Sequence, residues 1–411
     1  MEVSKRAEEK CRKQFETFEK IEEYNQQKVL NAFIECKVSE SHFGLTTGYG
    51  YGDRGREKLD ELFAKIFGAE DALVRANFVS GTHALTTALF GVLRPKDKLL
   101  SLTGELYDTM MGVVNSGESD QGTLKDFGID FDFVEYNEDK KVYYKAIRDK
   151  LTANVRAVYI QRSRGYTLRK SLSVAEIGEI IAFVREVLPN AVVIVDNCYG
   201  EFVEMCEPSE VGADLVVGSL IKNPGGGIAP MGGYILGKKQ YVEKCAYRLT
   251  APGIGKEVGA TLGVNRELFM GIFNAPHVVA ESLKTAVYTA AVFEDLGFAV
   301  YPKYADERCD IVQSIIMGAG ESLVEFCRGI QSGSAVDSFV MPEAWDMPGY
   351  ESEVVMAAGT FIAGSSIELS ADGPMREPYP VWVQGGTSFY AAKVGILKAA
   401  ERILRLKKGN I

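Results

Sequence analysis

The sequence predicts an α/β protein, with a mostly parallel central sheet in a large domain and a smaller α+β domain at the C-terminus. Three observations carry this. Runs such as Ala191-Val192-Val193-Ile194-Val195 and Leu215-Val216-Val217 are apolar throughout, as strands buried on both faces must be. Segments with helical apolar spacing alternate with such runs, the order expected of a sheet covered by helices. After Gly297 the pattern restarts with shorter strands, and 411 residues are more than one small core needs.

Residues 4–35 read as a charged helix. Phe15, Phe18, Ile21 and Tyr24 form one apolar stripe on it, which requires a covering surface. Residues 39–55, rich in glycine and tyrosine, read as irregular. An amphipathic helix follows, with Leu59, Leu62, Phe63, Ile66 and Phe67 on one face and Gly68 as its stop. Strands are expected at 72–78, 98–102, 131–136, 157–161, 191–196, 214–219 and 233–236, with a helix over 82–93. Ser173 and Glu176 make a capping box for a helix ending near Leu188. Residues 256–294 read as helical and bridge to the second unit. Strands there are expected at 298–301, 311–317, 353–357, 366–369 and 381–384. A helix is expected at 322–330, and a last amphipathic helix from Thr387. A parallel sheet of this kind places its ligand site at the carboxyl ends of its strands.

Composition excludes several classes. Hydrophobic content of 46% and charged content of 25% are ordinary for a soluble globular chain. Residues 1–24 are too charged for a signal peptide, and no apolar stretch reaches the ~20 residues of a membrane helix. A net charge of −10 argues against nonspecific nucleic-acid binding. Seven scattered cysteines without a C-x-x-C pair fit reduced thiols in a cytoplasmic protein. His42, His83 and His277 stand apart from one another, so no metal site is expected.

The chemistry is written around Lys222. It follows a buried-strand run and precedes Asn223-Pro224-Gly225-Gly226-Gly227, a glycine-rich turn. Desolvation there is expected to lower the ammonium pKa and free an amine able to form a Schiff base. Asp196 ends another buried run, and the intervening chain holds a turn, a short linker and one neighbouring strand. Singly, such residues are more often a solvated lysine and a turn cap. As a pair they are the two fixed points that pyridoxal 5'-phosphate needs: a carboxylate for the ring nitrogen and a lysine for the aldehyde carbon.

Ser80-Gly81-Thr82-His83 opens a helix, and the free N–H groups of a helix N-terminus suit a phosphate. Ser219, near Lys222, can reach it from the other side. Tyr107 follows the strand at 98–102 and can stack on the ring and help move a proton, with His83 as a competitor. Gly50-Tyr51-Gly52-Asp53-Arg54-Gly55 matches G-x-G-x-x-G, but no strand precedes it, so the dinucleotide reading fails. Tyr51 and Arg54 remain as an anion-binding pair. Arg162, Arg164, Arg169 and Lys170 read as an active-site rim for anionic substrates or a solvated loop. Arg376, on a turn in the second domain, has the planar fork that grips an α-carboxylate.

Five segments carry a resemblance: Thr47-Gly48-Tyr49-Gly50-Tyr51-Gly52-Asp53, Val79-Ser80-Gly81-Thr82-His83-Ala84-Leu85, Val195-Asp196-Asn197-Cys198-Tyr199-Gly200-Glu201-Phe202, Gly218-Ser219-Leu220-Ile221-Lys222-Asn223-Pro224-Gly225-Gly226 and Met375-Arg376-Glu377-Pro378-Tyr379. Over nearly the whole chain, the sequence resembles fold-type I pyridoxal phosphate enzymes of the Cys/Met metabolism group. Within it, it resembles the methionine γ-lyase-like proteins, also described as cystathionine β-lyase-like proteins of the aluminium-resistance family.

The resemblance implies Lys222 as the Schiff-base lysine, Asp196 as the pyridinium partner, and Ser80, Gly81, Thr82 and Ser219 around the phosphate. It implies Tyr107 stacked on the ring, Tyr51 and Arg54 reaching the phosphate of a neighbouring subunit, and Arg376 on the substrate. Tyr51 and Arg54 stand one residue further apart than the group's Tyr-x-Arg. Ser219-Leu220-Ile221-Lys222 lacks one hydroxyl of its Ser-x-Thr-Lys. The domains implied are an N-terminal helix and interface arm (1–55), a large cofactor-binding domain (56–294) and a small C-terminal domain (295–411). The expected activity is carbon–sulfur lysis of a sulfur-containing L-amino acid by β- or γ-elimination, in a homodimer or dimer of dimers with shared sites. The alternatives are an aldolase acting on β-hydroxy amino acids with His83 at the ring, and a cofactor-binding protein with little turnover.

Overall fold

A computed structural model describes residues 2–115, 117 and 120–409. Helix α1 (Glu2–Glu35) and helix α2 (Arg54–Ile66) lead into β1 (Asp71–Arg75), α3 (Gly81–Val92), β2 (Lys98–Ser101), α4 (Asp108–Val114), β3 (Asp130–Phe133), α5 (Lys140–Lys150) and β4 (Val155–Gln161). Then come α6 (Val174–Val187), β5 (Val192–Asp196), β6 (Leu215–Ser219), β7 (Gly233–Gly237), α7 (Lys239–Leu249) and α8 (Asn265–Asp295). The C-terminal part holds β8 (Val300–Tyr301), β9 (Gln313–Ile316), α9 (Gly320–Ser332), β10 (Val354–Ala357), β11 (Ser370–Pro374), β12 (Pro380–Gln384) and α10 (Phe389–Lys407).

Seven strands form the large sheet in the order β1-β7-β6-β5-β4-β2-β3. All neighbours from β6 to β3 are parallel, and β7 runs antiparallel to both β6 and β1. Every residue of β5, β6 and β7 is buried, which is why they read as unbroken apolar runs. The second sheet, β10-β11-β12-β9-β8, is antiparallel throughout. Its back packs on α9: Leu323 meets Gly373, and the Cys327 thiol reaches the Ala371 carbonyl. The alternate residues Ser370 and Asp372 face the other way, toward the large sheet.

Several expectations are corrected. Residues 366–369 are not a strand, because the Glu368 carboxylate takes the backbone N–H groups of Phe361 and Ile362 and folds the segment into a turn. The helix expected from 256 starts only at Asn265, since Gly259, Leu262 and Gly263 have positive φ angles that a helix cannot hold. The α1 stripe is covered within the chain at Phe18 and half-covered at Phe15 and Ile21. Ala7, Cys11, Phe18, Val29 and Ala32 are buried and α1 lies along α8, whereas Tyr24 is 48% exposed.

Candidate active site

The carboxyl ends of β5 and β6 lie side by side, with Asp196 opposite Val217. They open into a cavity of about 310 Å³ whose far wall is the front of the small sheet. Lys222 lines it from the turn after β6, and Asp196 from the tip of β5. The Asp196 carboxylate is aimed by two donors, the Tyr159 hydroxyl at 3.0 Å and the Cys198 N–H at 3.1 Å. Lys222 Nζ sits 4.1 Å from the centre of the Tyr199 ring. Tyr199 has a φ of 73°, a costly position for a bulky residue and one often found at functional sites. Its hydroxyl donates to Gln384 Oε1 at 3.1 Å and accepts from Ser366 at 3.2 Å, tying the lysine's platform to the small sheet.

The charge state of Lys222 departs from expectation. Burial lowers its pKa as anticipated, but Cys198, Tyr199, Asp196 and Glu201 crowd the amine and the net shift is upward. The protein's own groups hold it as an ammonium. The turn that carries it is wedged in place. A Cβ on Gly225 would lie 1.7 Å from the Leu220 carbonyl oxygen, and one on Gly271 of α8 would lie 2.5 Å from that of Gly225.

The N-terminus of α3 faces the end of β6 so closely that a Cβ on Gly81 would sit 3.2 Å from Ser219 Cβ. Ser80 caps the helix by accepting the His83 N–H at 3.1 Å, and the Thr82 hydroxyl pairs with that of Thr109 at 2.9 Å. The buried Ser219 hydroxyl has no protein partner. An orphaned hydroxyl beside a glycine-lined helix N-terminus fits an anionic group of the ligand. With Asp196 and Lys222 on the same cavity, the residues fit pyridoxal phosphate.

Tyr107 lines the cavity at the start of α4. Its N–H donates to Gln161 Oε1 at 3.2 Å, and its hydroxyl pairs with Tyr350 at 2.6 Å. Burial, followed by Tyr350 and Asp372, raises its pKa well above the ordinary tyrosine value. His83 stands outside the cavity wall, with Nδ1 accepting the Val79 N–H at 3.2 Å and burial lowering its pKa.

The arginines of the basic cluster are neither rim nor solvated loop, whereas Lys170 is exposed. Arg162, fully buried, is held by Asn197 at 2.8 Å, the Gly200 carbonyl at 2.8 Å and Glu204 at 2.7 Å. Arg164, 2% exposed, donates to the Tyr301 carbonyl at 2.9 Å, and Arg169 to that of Gln161 at 2.7 Å. Lys170 pairs with Glu176. The three arginines brace backbone. Arg376 is exposed, off the cavity wall, and the Asp108 carboxyl feels its charge. Tyr51 (79% exposed) and Arg54 also lie outside the cavity of their own chain. Their loop is held by Arg56, which donates to Gly48 O at 2.7 Å and Glu257 O at 2.6 Å. Sequence reasoning missed Tyr166, Tyr199, Tyr350, Asp372 and Gln384, all of which line the cavity.

A mostly parallel large sheet, an antiparallel small sheet and a lysine–aspartate pair at the strand ends between them define a pyridoxal-phosphate-dependent enzyme of fold type I. Residues 1–404 match the methionine gamma-lyase family, and the chain belongs to that family. A Bacillus subtilis protein, YnbB, is 49% identical over 388 residues, covering 94% of this chain and 92% of its own. A carbon-sulfur lyase involved in aluminum resistance from Clostridium novyi NT superposes with a TM-score of 0.93 at 49% identity, covering 98% of this chain and 95% of that one. The pyridoxal-5'-phosphate-dependent protein YhfS of Escherichia coli shares the fold at a TM-score of 0.62 and 16% identity, over 94% and 97% of the two chains.

Proposed function

We propose that the protein is a carbon–sulfur lyase that acts on a sulfur-containing L-amino acid by β- or γ-elimination. The observation that carries this reading is the placing of Lys222, Asp196 and Tyr107 on one cavity. Family membership supports it. Pyridoxal phosphate, when bound, supplies the electron sink that makes the Cα–H of an amino acid acidic enough to remove. Asp196 would hold its ring nitrogen, and Ser219, Ser80, Thr82 and the α3 N-terminus would hold its phosphate.

Lys222 moves the Cα proton at Nζ. Its neighbours favour the ammonium, so it must give up a proton before it can take one. A cation held against Asp196 would remove one part of that bias, the larger parts coming from Cys198 and Tyr199. Tyr107 keeps its proton, because burial disfavours the phenolate, and can pass it to the departing sulfur. Tyr350 backs that hydroxyl, and Tyr166 packs on Trp382 in the far wall. His83, off the cavity and committed to Val79, gives the aldolase reading no support.

We further propose a homodimer or dimer of dimers. The outward placing of Tyr51 and Arg54 on a braced loop supports their service to a neighbouring subunit's phosphate. The test of function is an amino-acid panel assayed for α-keto acid, ammonia and thiol. Keto acid and thiol in equal amounts from a sulfur amino acid are expected. Bound cofactor without product from any member of the panel would leave the binding-protein reading instead.

A further inference from the structure

The hydrogen-bonded chain that runs from Tyr199 through Gln384 ends on a carboxylate the proposed reaction does not use. Asp372 lies in the cavity wall on β11, beside Ser370 and across from Trp382 of β12. It is 6% exposed. Gln384 Nε2 donates to it at 2.9 Å, and the Tyr166 hydroxyl donates to its other oxygen. Both donors are neutral, so the charge goes uncompensated by them. A carboxylate offers about four acceptor positions, and two remain. Burial raises its pKa to about 6, outweighing the two hydrogen bonds and the more distant Lys222 charge, which lower it. The Trp382 indole N–H in the same wall is buried and finds no acceptor.

An amino acid in this cavity has three arms to place. The amino group belongs at Lys222. The α-carboxylate would be repelled by Asp372. The arm carrying the sulfur is the one left to meet the small-sheet wall. Resting on the lyase reading, we propose that Asp372 reads the leaving arm and selects sulfur amino acids whose leaving arm ends in an ammonium group. The bond changes are those of the elimination. With a cysteine thioether, Lys222 takes the Cα proton, the Cβ–S bond breaks with its electron pair on sulfur, and the sulfur gains a proton. Water then releases pyruvate and ammonia.

Two isosteric probes test this, S-(2-aminoethyl)-L-cysteine and S-propyl-L-cysteine, which differ by an ammonium in place of a methyl. Their binding to the cofactor-loaded protein is measured by calorimetry, and thiol release is followed separately. The aminoethyl compound should bind about tenfold or more tighter, the range of one charge-assisted hydrogen bond. In Asp372→Asn the two affinities should converge through loss on the aminoethyl compound alone. That first comparison needs no variant. Equal affinity in the unaltered protein, a preference for the propyl compound, or a preference that survives in Asp372→Asn overturns the assignment. Selective binding with no thiol released from either would sink the lyase reading and leave Asp372 in place. Thiol release without selectivity would do the reverse.

Discussion

Tyr107 and Tyr350 meet hydroxyl to hydroxyl at 2.6 Å, joining the first turn of α4 to a loop of the C-terminal part. The loop rests on that turn, since a Cβ on Gly349 would lie 3.2 Å from Thr109. One phenol can therefore restore the proton that the other gives away. Tyr107→Phe should lower kcat about 100-fold, and Tyr350→Phe about tenfold, at little changed KM. The alkaline limb of the Tyr350→Phe pH profile should also move. Matching losses in KM, with an unmoved profile, would make Tyr350 a packing residue.

Lys222 should be the residue that carries the cofactor. Borohydride reduction of the loaded protein followed by mass spectrometry should find the adduct on Lys222, and Lys222→Ala should have no turnover. Asp196→Ala should still take up cofactor but remove the Cα proton slowly, visible as retarded α-deuterium exchange. An adduct on another lysine ends the assignment.

Arg376 is an arginine whose charge reaches Asp108, although it lies outside the cavity wall. Arg376→Lys keeps the charge and loses the planar fork, so α-carboxylate binding should weaken by ~1–3 kcal/mol if the turn closes over substrate. Unchanged affinity would remove Arg376. Arg162 and Arg164 could not replace it, being tied to Glu204 and Tyr301 inside the protein.

A mixing experiment tests the shared site. Arg54→Ala and Lys222→Ala chains, each inactive alone, should recover activity together, because one hybrid site keeps both residues. Mixed dimers that form and stay inactive would show that each subunit serves its own phosphate.

Glu201 sets an alkaline limit on stability. It is wholly buried, accepts from the Tyr234 hydroxyl at 2.7 Å, and burial raises its pKa from 4.5 to about 8. Between those values the unfolded chain ionises and the folded one does not, so this contribution to stability falls as pH rises toward 8. Glu201→Gln should therefore gain on the parent from pH 5.5 to 8.5, by an amount on the order of a few kcal/mol. Parallel urea-unfolding curves for the two proteins across that range would contradict the burial argument.

The large sheet was legible because its central strands are buried on both faces and carry their own signature. Lys222 and Asp196 were legible for the same reason, since each ends such a run. Helix α5 was missed although Asp139 caps it and Tyr143 and Ile147 stand four apart on its buried face, a signal the sequence does contain. Tyr199, Tyr350 and Asp372 had no such signal. They reach the cavity from a strained turn, a long loop and an antiparallel strand, and only the docking of the two sheets brings them together. The charge on Lys222 was misread because neighbours distant in sequence, not burial, decide its sign.

The wedge of Gly225 against Leu220 and Gly271 has a practical meaning for redesign. The lysine's side of the site tolerates no added carbon, so altering it would shift the backbone on which Lys222 stands. The opposite wall is made of ordinary side chains such as Met356, Ser370 and Trp382. A library aimed at new leaving groups should vary that wall and leave every glycine of the turn untouched.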